Sequence, residues 1–102
     1  MKNLYANISM SQSLILIDGT KICIYQFAKN TPDEIASRNL FRTGNDGSII
    51  WQVEKYQVVP NLSTFTTMRF VDKDTVEVYN YDGGIFKIDV KTGKIVNREF
   101  VR

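Results

Sequence analysis

At 102 residues, with 43% hydrophobic side chains, the chain has the size of one domain that can bury a core without metals or cross-links. Its 13 basic and 11 acidic side chains leave a net charge of +2, +1 in each half, which gives no general electrostatic reason for a nucleic-acid partner. A single cysteine, Cys23, excludes an intrachain disulfide framework, and no apolar run is long enough for a signal sequence or a membrane span, so a cytoplasmic protein is expected.

Taken in order, Leu4 to Ser9 reads as a weak first strand. Ser13 to Ile17 and Lys21 to Phe27 form a hairpin, with Asp18-Gly19 predicting a type I′ turn. Leu14 to Ile17 are all apolar, which predicts a strand covered on both faces and the most buried piece of the fold. Thr31-Pro32-Asp33-Glu34 is a capping box, predicting one short helix from Pro32 to about Ser37. Asn39 to Thr43 and Ser48 to Lys55 make a second hairpin. Its alternation puts Ile49, Trp51 and Val53 on one face, with Trp51 in the core. Gln57 to Thr64 is a loop marked by Pro60 and Asn61.

Phe65 to Val71 pairs with Thr75 to Asn80 through Asp72-Lys73-Asp74. The stretch from Val76 to Val96 then reads as three strands joined by turns at Asp82-Gly83 and Thr92-Gly93, and the last strand is Lys94 to Phe100. Nine short strands and one helical turn make a single all-β domain of antiparallel hairpins, with two blade-like sheets in a half-propeller or a sandwich.

Two segments align without gaps at an offset of 46 residues, Asn39–Trp51 over Ile85–Asn97, matching Gly47 with Gly93 and Ile49 with Ile95. That spacing is the period of a propeller blade. The run from Ile85 to Val96 resembles the blade motif of quinoprotein-like (PQQ-type) β-propellers, in which an aspartate precedes a Thr-Gly-Lys turn and a tryptophan follows. Asp89, Thr92, Gly93 and Lys94 match, whereas Asn97 stands at the tryptophan position; the earlier unit keeps Trp51 but has Asn45-Asp46-Gly47-Ser48 for the turn. The resemblance implies blade packing and brings no quinone cofactor, because the residues that would bind one are not in the motif. Two blades do not close a ring of roughly four to eight, so either the units pack on each other or chains assemble.

The chain contains no histidine, which removes the commonest general base, the Ser-His and Cys-His nucleophile systems and most zinc sites. Asp82-Gly83-Gly84 lies between strands, where no phosphate-binding loop would be placed. No enzyme, cofactor or metal is expected. Binding is better supported: Glu77, Tyr79 and Tyr81 alternate with Val76, Val78 and Asn80 on a face opposite the core and, with Asp72, Asp74 and Asp82, make an acidic and aromatic candidate surface for a partner protein. Basic Lys91, Lys94, Arg98 and Arg102 are the residues an RNA surface would use, and Trp51, Tyr56 and Tyr79 those of a lectin-like pocket between the blades of an oligomeric ring. In size and strand meander the chain is similar to bacterial immunity proteins, including those of contact-dependent growth-inhibition systems. That likeness implies a non-catalytic protein that binds and blocks a toxin domain, a nuclease among the candidates; a monomer or small homo-oligomer with no membrane partner is expected.

Overall fold

The computed structural model describes residues 9–27, 31–56, 64–81 and 83–100. Over them the chain forms β1 (Ser9–Ile15), β2 (Lys21–Gln26), α1 (Asp33–Ala36), β3 (Leu40–Thr43), β4 (Ile49–Gln52), β5 (Phe65–Asp72), β6 (Thr75–Asn80), β7 (Gly84–Asp89) and β8 (Ile95–Phe100). Within each sheet every strand pairs antiparallel with the next, giving two four-stranded meanders in the orders β1-β2-β3-β4 and β5-β6-β7-β8. This is the all-β, two-sheet class that the hairpin signals predict. The expected strand from Leu4 lies outside the described residues up to Ser9, which opens β1. The short helix falls inside the predicted span, with the amides of Ile35 and Ala36 both bonding back to the Pro32 carbonyl at 3.0 and 2.9 Å.

Strand alternation builds the core. Ile22, Ile24, Leu40, Trp51 and Val53 face inward from the first sheet; Phe65, Met68, Val76, Val78, Phe86, Ile88 and Val90 meet them from the second. Phe86 makes edge contacts with Phe65 and Tyr56, ring centroids 5.1 and 4.8 Å apart. Each such pair adds about 0.5–1.5 kcal/mol beyond the area it buries.

Three polar seams join the sheets. The Gln12 carboxamide donates to the Met68 carbonyl and accepts from its amide, at 3.1 and 3.0 Å. Buried Asn39 donates to the carbonyls of Tyr25 and Phe65 and accepts from the Phe65 amide. On the far side the Glu54 amide donates to the Gly93 carbonyl, while its carboxylate accepts from the Ile95 amide at 2.6 Å. Trp51 Nε1 donates to the Val90 carbonyl at 2.8 Å, and its ring packs on Gly93. The tryptophan of one repeat thus meets the Thr-Gly-Lys turn of the other.

Three local expectations are corrected. The strand buried on both faces is β2, where Ile22, Cys23 and Ile24 are all at 1% exposure or less; Ile15 is 68% exposed and Ile17 fully so. The β1 strand stands at a sheet edge, and its apolar run continues into the turn. That turn is not type I′: Gly19 donates to Leu16 and Leu16 to Thr20, a three-residue Ile17-Asp18-Gly19 loop with only its last residue required at positive φ (+88°). Ile17 therefore occupies the tip. Finally, a register shift between Arg42 and Thr43 pairs Trp51 with Arg42 but Ile49 with Thr43, so the bulge turns Ile49 away from Trp51 and leaves it 51% exposed.

Candidate functional site

A meander places the β1–β2, β3–β4, β5–β6 and β7–β8 turns at one end of the molecule, and side chains lock them together. Arg42, at the end of β3, donates to Asp18 Oδ2 (2.9 Å), Thr20 Oγ1 (3.1 Å) and the Val90 carbonyl (3.1 Å). The Val90 amide donates to the Asp74 carbonyl at 2.9 Å, and Gly19 lies against the Asn45 side chain.

An aspartate braces each turn. Asp18 Oδ1 accepts from the amide and hydroxyl of Thr20, and Asp46 Oδ1 from those of Ser48. Asp72 accepts from the Asp74 amide, and Asp89 from the Lys91 amide and the Thr92 hydroxyl. These are Asx turns, in which a short carboxylate replaces a backbone acceptor two residues on. The Thr20 bonds, hydroxyl first, hold the Asp18 carboxyl below its ordinary range, with Arg42 adding to them; Ser48 does the same for Asp46.

Between the turns opens a cleft of about 560 Å³. Ile15, Leu16 and Ile17 form one wall; Phe70 and Val90 face them across it, and Arg42 lies at its base. Phe70 is 36% exposed, so its ring is open to the cleft. Asp72, Asp74, Lys73 and Lys91 make the rim.

The predicted surface is divided by this geometry. Asp72 and Asp74 stand on the rim. Glu77 and Tyr79 share the outer face of the second sheet, as alternation requires, and bond to each other, Tyr79 Oη donating to Glu77 Oε1. Arg69 adds a 3.0 Å ion pair, and Lys87 is the cross-strand neighbour of Glu77 on β7. Glu77 is only 9% exposed, and its carboxyl is held low by Tyr79 first and by Arg69 after burial is offset. The charge of Glu77 is thus balanced by bases on both adjoining strands. Tyr81, 69% exposed, lies at the opposite end, roughly 20 Å from Asp74 at about 3.3 Å per strand residue. Asp82 lies outside the described residues.

The other candidate sets do not converge. Trp51 is buried, Tyr56 packs on Phe65 and Phe86 while donating to the Ser37 carbonyl, and Tyr79 is on the outer face. Arg98 turns inward, its guanidinium 4.8 Å from the Phe86 ring centre; Arg102 is outside the described residues. Among the described residues no three Cys, Asp or Glu side chains are grouped to hold a metal ion, and no helix is long and apolar enough to cross a membrane.

Sequence reasoning missed Ile15, Ile17, Phe70 and Arg42. The signal for the first two was present: an all-apolar run ending at a hairpin turn must expose its last residues unless another element covers the tip.

A family model matches residues 9–100, from the first residue of β1 to the last of β8. The chain belongs to the family described as Domain of unknown function (DUF7957). No curated protein and no solved structure matches it. The DUF7957 match spans both sheets, so the unit that contains the cleft is the two-sheet unit and not one meander.

Proposed function

We propose that this DUF7957 domain is a non-catalytic binding module that docks a partner protein on its turn end, with a toxin domain, blocked by occlusion, as the partner class. The observation that carries the reading is the pairing of exposed Ile15 and Ile17 with Phe70 around one cleft, rimmed by Asp72, Asp74, Lys73 and Lys91. Contiguous exposed apolar groups inside a charged rim are the anatomy of a protein interface. The turns are braced before any partner arrives, so little ordering cost opposes association. The toxin class rests on the likeness in size and strand pattern to immunity proteins.

Co-expression with the product of the neighbouring open reading frame tests the proposal. A stable complex by size-exclusion chromatography, weakened at least tenfold by Ile17→Asp, supports it. A complex indifferent to Ile17→Asp and to Phe70→Ala would place docking elsewhere, and the absence of any complex would remove the toxin reading.

A further inference from the structure

The cleft has a second property besides its apolar walls: it lies between two open strand edges. Thr20 and Leu16 form a hydrogen-bonded pair, so the alternation of an antiparallel ladder gives Leu14 and Ile22 the next one and directs the backbone groups of Ser13 and Ile15 to the open edge of β1. Across from it, Met68 turns its amide and carbonyl away from β6 to meet Gln12. Two residues on, Phe70 presents its own amide and carbonyl on that same edge, before the register shift at Asp72. Among the described residues no strand pairs with either edge.

The Gln12 carboxamide shows what fits there. It donates one bond to Met68 and accepts one from it, which is the pair of contacts that the N–H and C=O of one residue in an added antiparallel strand would make. At Phe70 the same edge continues into the cleft without such an amide. The rim is balanced, Asp72 and Asp74 against Lys73 and Lys91, while Asp18 is already paired with Arg42 at 2.9 Å. A strongly charged segment of either sign would gain no more than it loses.

We infer that the cleft takes an extended, uncharged segment of a partner protein as an added β-strand, paired through its backbone to the edges at Ile15 and Phe70, with apolar side chains at alternate positions against Ile17 and Phe70. The inference rests on the proposed binding role and specifies how the partner is held. Backbone pairing supplies affinity, and the alternate side chains supply choice.

The test uses a capped heptapeptide of alternating threonine and valine, and the same peptide N-methylated at alternate amides, titrated into the full chain labelled with nitrogen-15. Expected are saturable shifts at the amides of Ser13, Ile15 and Phe70, with hydrogen exchange at Ile15 and Phe70 slowed at least tenfold. Ile17→Asp and the N-methylated peptide should each weaken binding at least tenfold. Equal binding of the N-methylated peptide would show that backbone pairing plays no part. Shifts confined to Glu77 and Tyr79, or none at millimolar peptide, would overturn the inference. So would protection of the same amides by self-association of the chain alone, since a second copy would then be the occupant. If the peptide fails while an Ile17-sensitive complex with the neighbouring gene product forms, the binding role stands and only the strand-addition mode falls.

Discussion

Trp51 and Gly93 stand 42 positions apart in sequence yet leave no room for a methyl group between them: a Cβ on Gly93 would lie 2.6 Å from Trp51 Cε3. The indole is held there by its 2.8 Å bond to the Val90 carbonyl, which also accepts from Arg42. One carbonyl thus joins the core tryptophan to the arginine at the base of the cleft.

Gly93→Ala should therefore destabilise the domain by about 2–5 kcal/mol, combining about 1–2 for a left-handed backbone with about 1–3 for overpacking. Gly47 is the internal control. It shares the positive φ (+83° against +75°), but a methyl group added there would meet nothing within 4 Å, so Gly47→Ala should cost only about 1–2 kcal/mol. Urea unfolding of both variants measures the difference; equal losses would refute the contact between Trp51 and the turn.

Asn39 carries three bonds at the seam between the sheets and is 3% exposed. Asn39→Ala leaves the Phe65 amide and two carbonyls without that partner and should cost about 2–4 kcal/mol. Gln12→Ala, at a part-buried seam with two bonds, should cost about 1 kcal/mol. Chemical denaturation ranks them, and a larger loss for Gln12 would invert the assignment of the main seam.

Asp18, Asp46 and Glu77 all titrate below their ordinary values of 3.8, 3.8 and 4.5. A depressed carboxyl contributes stability that is present above the unfolded value and lost as pH falls through the folded one. Stability should thus be level with respect to these groups near neutrality and decline below about pH 4.5. Tyr79→Phe removes the largest cause at Glu77 and should raise its titration midpoint, read from side-chain carbon-13 shifts. An unchanged midpoint would show that Arg69 and Lys87 set it without Tyr79.

Ile15 and Ile17 contribute to the cleft and little to the fold. Ile17→Asp should change stability by no more than about 0.5 kcal/mol, whereas Phe86→Ala, in the core, should lose about 3–5. Thermal unfolding separates them, and a large loss at position 17 would mean that its side chain is covered in solution.

The hairpins were legible because glycine, aspartate and alternating apolar residues act locally: β6 begins and ends where its pattern does, and α1 follows its capping box. Gly47 and Gly93, matched in the repeat, both stand at positive φ, although the β3–β4 turn closes from Gly44 to Ser48 and the β7–β8 turn from Asp89 to Lys94. What could not be read was set by distant partners. Glu77 looks acidic along the chain, but Arg69 and Lys87 reach it only through strand pairing. Ile49 shares parity with Trp51 until a bulge breaks it, and Arg42 shows no sequence sign of the three turn groups it binds. Of the candidate surface, Asp72 and Asp74 could be placed from the turn they close; the cleft they rim could not, because it exists only when the two meanders meet.

The aspartate braces separate two jobs that most loops combine. In the β1–β2 turn, Asp18, Gly19 and Thr20 hold the shape, so the side chain at position 17 takes no share in maintaining it. Exchanging Ile17 for another residue would retune what is recognised without refolding its support, much as a tool holder accepts a different bit. A lineage carrying this fold could diversify its targets by single substitutions at that tip.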